Sequence, residues 1–174
     1  HLCDRRQRQM CIRDRGNGIP ISGLAAKEDV LAAFSDKLPY FNTFGGNPVS
    51  IAAAQAVLKY IKDENLQEHC KKAGAALLKA LKEVQERHPE SVGDVRGAGL
   101  FLGFEFVKND GNKTHDKDMA LNVIEMLRDE HILTSVIGHY GNILKLRPPM
   151  VFSENDIDWF ATSLDKCITK LENK

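Results

Sequence analysis

A chain of 174 residues with 43% hydrophobic and 28% charged residues has room for one domain, with or without part of a second. That composition excludes disorder over the whole chain. Its 24 Lys and Arg balance 24 Asp and Glu, which argues against nucleic acid or an anionic membrane as a partner, since their binders carry a basic excess; no apolar run reaches the length of a membrane span.

The balance hides an uneven distribution. Residues 1–15 hold five Arg and two Asp, and residues 16–174 hold 19 basic and 22 acidic side chains. The opening run HLCDRRQRQMCIRDR has no apolar core, so it is not a secretory signal. A mitochondrial presequence would need Ser and an apolar face, and a nucleic-acid arm would gain from aromatic residues for stacking; both are missing. Arg5 to Asp14 resembles the translation of a sequencing-library adapter. We therefore expect residues 1–15 to be an unstructured artefact and set them outside the fold, with Cys3 and Cys11. Cys70 and Cys167 remain, at no metal or redox spacing, and read as reduced structural cysteines of a cytosolic protein.

After Gly16 the elements follow in order. Gly18 to Leu24 reads as a strand or strand end, and Lys27 to Phe34 as a short helix. Pro39 to Pro48 (PYFNTFGGNP) is a loop dense in Gly, Asn and Pro. Asn47 is a suitable N-cap and Pro48 a suitable first helical residue for a long Ala-rich helix, with Ile51, Ala54, Val57, Leu58 and Ile61 on one face. A second helix spans about Leu66 to Arg87, with Leu77, Leu78, Leu81 and Val84 inward and Pro89 beyond its end. Val92 to Val95 and Leu100 to Val107 read as strands. Asp116 to Glu130 is an amphipathic helix using Met119, Val123, Met126 and Leu127. Strands follow at Ile132 to Ile137 and Ile143 to Leu146. A last helix is capped by Ser153 and buries Ile157, Phe160, Leu164 and Ile168. From Pro48 onward this order describes an α+β unit, a short antiparallel sheet covered by helices.

The stretch Asn42 to Pro48 offers a hydroxyl, two glycines and a helix start, which suit a phosphate; a Gly-rich turn that merely starts a helix is the competing reading. Arg96-Gly97-Ala98-Gly99 reads as a tight strand connection with Arg96 in a structural ion pair. Lys145 and Arg147 alternate on a strand, so both cations share a face. Such a pair can hold a phosphate or a carboxylate, or it can be an ordinary solvated face. His139 and Tyr140 read as surface-loop residues, and the six His show no zinc spacing.

Four runs in this order resemble the C-terminal part of the class III aminotransferases. They are Gly16-Asn17-Gly18-Ile19-Pro20, Phe41 to Pro48, Asp94-Val95-Arg96-Gly97-Ala98-Gly99-Leu100, and Leu144 to Met150. These are pyridoxal-phosphate (PLP) enzymes with an α/β fold of type I. The resemblance implies that residues 16–46 are the tail of the large PLP-binding domain, and that 47–174 are a linking helix and the α+β small domain. It further implies a homodimer with shared active sites, a small amine or amino-acid substrate, and transfer of an amino group to a keto acid. Thr43 is then expected to bond the PLP phosphate of the neighbouring subunit, with Gly45 and Gly46 shaping the loop. The family's Schiff-base lysine lies three residues before the first glycine of the Gly-Asn-Gly run. Arg13 stands there, and a permanently charged guanidinium is no substitute; no catalytic residue is expected in the chain, which should be inactive alone.

Many amino-acid transaminases of this class carry Arg three residues before the paired prolines. Here Lys145 takes that place and Arg147 directly precedes Pro148. This pattern resembles the branch of ethanolamine-phosphate and phosphohydroxylysine phospho-lyases. It makes Lys145 and Arg147 candidates for binding a phosphorylated amine, and phosphate elimination the alternative reaction. Two readings compete with a PLP enzyme: a non-catalytic α+β binding module, and a catalytically dead paralogue with Arg13 genuinely encoded.

Overall fold

The computed structural model describes residues 16–23 and 26–173. The sequence expectations placed on residues 1–15, Arg13 among them, lie outside the described residues. The chain divides into two compact units, one running to Glu64 and the other from Asn65 to Lys174.

In the first unit, helix α1 covers Glu28–Ser35 and helix α2 covers Pro48–Asp63. Asn47 caps α2 as expected, its side-chain oxygen accepting from the amides of Val49 (3.0 Å) and Ser50 (3.2 Å). The expected strand over Gly18 to Leu24 does not form among its described residues. Asn17 (φ 47°) and Gly18 (φ 101°) make a turn instead, closed by the Ile19 amide on the Gly16 carbonyl at 3.1 Å. Pro20 then removes a ladder donor. The apolar face of α2 is present but only partly covered: no residue of the helix is fully buried, Ala54, Val57 and Ile61 are half-buried, and Ile51 and Leu58 are 39% and 50% exposed.

The second unit has its own core. Strands β1 (Val92–Ala98), β2 (Phe101–Phe106), β3 (Ser135–Ile137) and β4 (Ile143–Leu146) form an antiparallel sheet in the order β1-β2-β4-β3. Helix α3 (Leu66–Arg87) packs on β1 and β2, α4 (Lys117–Asp129) on β2 to β4, and α5 (Glu154–Glu172) closes over α3 and α4. Leu77, Leu81 and Val84 of α3 are buried against Val123 and Leu127 of α4, Leu164 and Ile168 of α5, and Leu102, Phe104, Phe106, Leu144 and Leu146 of the sheet. Leu78, expected inward, is only half-buried against this core; the helix period turns it a hundred degrees from Leu77. Val92 and Val95 both point inward although they lie three positions apart, an odd spacing for one face of a strand. A bulge between Val92 and Asp94 supplies the odd residue.

Two details tighten the unit. Gly74 of α3 lies against the β1–β2 turn, where a Cβ would stand 2.3 Å from the Gly99 carbonyl carbon. Ser153 and Asp156 form a reciprocal capping box at the start of α5. The strand expected from Ile132 shortens to Ser135–Ile137 because the chain first leaves α4 through His131 at φ 62°. The second face of the sheet remains uncovered within the unit and carries Arg96, Phe101, Glu105 and Lys145.

Candidate functional site

Thr43, Gly45 and Gly46 come together in one loop of the first unit. The loop is shaped by Asn42, whose side-chain oxygen accepts from the Phe44 amide (3.2 Å) while its carbonyl accepts from the Gly45 amide (3.1 Å). A Cβ on Gly45 would press to 3.2 Å against that Asn42 side chain. Gly46 takes φ 76°, a left-handed value that suits glycine. The first free amides of α2 are occupied by Asn47, so an anion here would rely on the Thr43 hydroxyl and the exposed glycine backbone. Thr43 is exposed and its hydroxyl has no partner among the described residues. No carboxylate lies between Pro39 and Ser50. The loop therefore fits a phosphate: a free donor, open backbone and no opposing charge.

Lys145 and Arg147 meet in the second unit. They line a groove of ≈ 510 Å³ together with Thr134, Ser135, His131 and an apolar wall that includes Leu133, Pro149 and Trp159. Lys145 is half-buried, Arg147 is exposed, and neither side chain has a hydrogen-bond or ion-pair partner among the described residues. No Asp or Glu lines the groove. A pair of unneutralised cations beside apolar surface attracts an anion more strongly than the same pair in open water.

Arg96 differs from these two. Its guanidinium donates to Asp94 (2.6 Å) and Glu105 (2.7 Å), as the structural reading of Arg96 requires. These bonds, Glu105 first, raise its already high pKa. At Glu105 partial burial works to raise the pKa, but hydrogen bonds from Arg96 and Asn142 outweigh it and hold the carboxyl below its usual range. Asn142, 1% exposed, also donates to the Phe106 carbonyl at 2.8 Å. Nothing in the local sequence signals this role, because Asn142 sits in a run of turn residues. Tyr140 is engaged within the protein, stacked on His115 at 3.9 Å with His139 edge-on at 4.8 Å. No group of His, Cys, Asp and Glu suited to a metal ion occurs among the described residues, and no described helix is long and apolar enough to cross a membrane. Ser135, His131 and Trp159 were not singled out from sequence. The strand register brings Ser135 to Lys145, the chain reversal after α4 brings His131, and α5 brings Trp159 to the same groove.

Comparison with known proteins adds independent findings. The model of the aminotransferase class-III family matches residues 12–168, starting four residues inside the segment set apart above. A Caenorhabditis elegans protein named ethanolamine-phosphate phospho-lyase homolog 1 is 43% identical over 155 residues, 88% of this chain and 33% of that protein. An Arabidopsis thaliana protein named alanine–glyoxylate aminotransferase 2 homolog 2, mitochondrial, is 35% identical over 156 residues, 90% of this chain and 32% of that protein. Among solved structures, an Arthrobacter phospholyase in complex with phosphoethanolamine superposes with a TM-score of 0.88 at 34% identity, covering 94% of this chain and 38% of that one. A Virgibacillus transaminase gives 0.81 at 28% identity, covering 91% and 38%. The fold is that of the type I PLP-dependent transferases, with the helices and small antiparallel sheet of their C-terminal domain. The chain spans about a third of the length of the curated relatives it matches.

Proposed function

Because the chain belongs to the class-III aminotransferase family, we propose that it is the C-terminal part of a PLP-dependent enzyme and that this enzyme eliminates phosphate from a phosphorylated amine. The observation that carries the choice of reaction is the groove at Lys145 and Arg147, which holds two unpaired cations and no acid. A carboxylate carries one negative charge, whereas a phosphate monoester approaches two at neutral pH, so two cations match the phosphate better. The names of the C. elegans and Arthrobacter proteins support the same reading. Amino transfer between an amine or amino acid and a keto acid is the second reading, supported by the name of the Arabidopsis relative.

PLP, when bound, supplies an electron sink at the amine-bearing carbon. This chain's part is to bind and orient. Thr43 would donate to the cofactor phosphate, with Gly45 and Gly46 keeping the loop open, across the interface of a homodimer. Lys145 and Arg147 would hold the substrate's phosphate. Residues 16–46 would continue the large domain, and residues 47–174 would be the linking helix and small domain. The Schiff-base lysine would come from the position held here by Arg13, so the chain alone would be inactive. The unpaired thiols of Cys70 and Cys167 suit a reducing compartment, which we take to be the cytosol; the Arabidopsis relative is named mitochondrial.

The test uses the enzyme completed upstream of Gly16 with the lysine in place. Lys145→Met should lower kcat/KM for phosphate release from phosphoethanolamine by about tenfold or more, the loss of one charge-assisted contact. Unchanged turnover would sink the phosphate site. Amino transfer to pyruvate or glyoxylate by the same preparation, with no phosphate release, would favour the second reading.

A further inference from the structure

The groove holds a third polar group that neither charge nor motif points to. Ser135 of β3 is the register partner of Lys145 of β4. Residues directly opposite in an antiparallel pair share a face, with Cβ atoms about 4.5–5.5 Å apart. Both line the same groove, Arg147 follows two residues along, and the other wall is apolar. The neighbouring hydroxyl is committed: Thr134 Oγ1 donates to the Lys145 carbonyl at 3.0 Å, pinning the start of β3 onto β4. Ser135 is exposed and its hydroxyl has no partner among the described residues.

We infer that Ser135 is a specificity-determining residue, the third contact of a site that takes a phosphate in preference to a carboxylate. This rests on the phosphate reading of the groove and extends it. A carboxylate has two oxygens and can be satisfied by Lys145 and Arg147 alone. A phosphate monoester has three terminal oxygens; the hydroxyl at 135 serves the third. Ser135 and Lys145 come from one strand pair whose register is fixed, and Arg147 follows directly after β4, so the two strand donors need little ordering on binding.

Trp159 is the sole tryptophan of the chain and lines the groove at 48% exposure, which gives a direct optical readout. The experiment titrates the 174-residue chain with phosphoethanolamine and with β-alanine, which carry a phosphate and a carboxylate on the same aminoethyl skeleton, while following Trp159 fluorescence. Ser135→Ala should weaken phosphoethanolamine binding about fivefold, the worth of one hydrogen bond, and leave β-alanine unchanged. Ser135→Thr, which keeps the hydroxyl in a residue that suits a strand, should retain the affinity. If Ser135→Ala binds both ligands like the parent while Lys145→Met loses phosphoethanolamine, the inference about Ser135 fails and the cation site stands. If Lys145→Met also binds like the parent, or the parent shows no preference for phosphoethanolamine, the phosphate reading fails with it.

Discussion

Helices α2 and α3 are both amphipathic and both begin at a position a sequence reader can find, yet they stand in different environments. Helix α3 buries six residues, among them Leu77, Leu81 and Val84, under a sheet and a neighbouring helix. Helix α2 has an apolar stripe of similar quality and buries none. Most helix stability in proteins comes from packing an apolar face, since an isolated helix of this length is marginal in water. The second unit supplies that packing for α3. For α2 the cover would come, on our proposal, from the large domain and the partner subunit. A stripe of apolar residues therefore states that a helix has a partner, without stating which.

Substitutions can break this contrast, beginning with the core. Phe104→Ala removes a fully buried ring at the centre of the sheet and should cost about 3–5 kcal/mol in denaturant unfolding of the second unit. A value below one would show that this unit is not the cooperative core. Gly74→Ala places a methyl group 2.3 Å from the Gly99 carbonyl carbon. The helix must shift, and about 1–3 kcal/mol is expected to be lost by overpacking, although alanine favours helices elsewhere.

Glu105 sharpens the contrast through pH. Against partial burial, hydrogen bonds from Arg96 and Asn142 hold its folded pKa below the ordinary glutamate range, so its ionised form is favoured in the folded over the unfolded chain. Its contribution is complete above the unfolded pKa and disappears as pH falls through the lower folded value. Glu105→Gln should cost about 1–3 kcal/mol at pH 7 and flatten the stability profile below about pH 4.5; an unaltered profile would remove Glu105 from the stabilising network. The smallest effect is expected at the other region. Asn47→Ala deletes the α2 cap and should weaken that helix by about 1 kcal/mol. Amide exchange at Ile51 and the next turn should rise while the melting of the second unit stays the same. Coupled loss of both would mean that α2 is integral to the core.

Much of the chain was legible because its signals are local. Asn47 in the first unit and Ser153 in the second each cap the helix that follows, as their hydrogen bonds verify. The alternation of Leu102, Phe104 and Phe106 directly marks one face of a strand. The failures are non-local or depend on special backbone. The run Gly18 to Leu24 reads as a strand, but Asn17 and Gly18 at positive φ turn the chain at its start. The beginning of β3 was overdrawn because His131 leaves α4 in a left-handed conformation. Among the candidate site residues, strand periodicity pointed to Lys145 and Arg147, of which only Lys145 lies in β4, Arg147 standing just past the strand's end at Leu146; Ser135 required the pairing register, which no single segment carries. Asn142 was missed for the same reason: its partners Glu105 and Phe106 lie 37 and 36 residues away.

The central claim is that this chain continues a PLP enzyme whose remainder precedes Gly16, and the most direct measurement is to sequence the gene upstream of the Gly16 codon. The account expects a lysine three residues before Gly16 and a long open reading frame behind it that encodes the large domain. A confirmed Arg13 with a genuine start codon close upstream would contradict it and leave a binding module or a catalytically dead paralogue in its place.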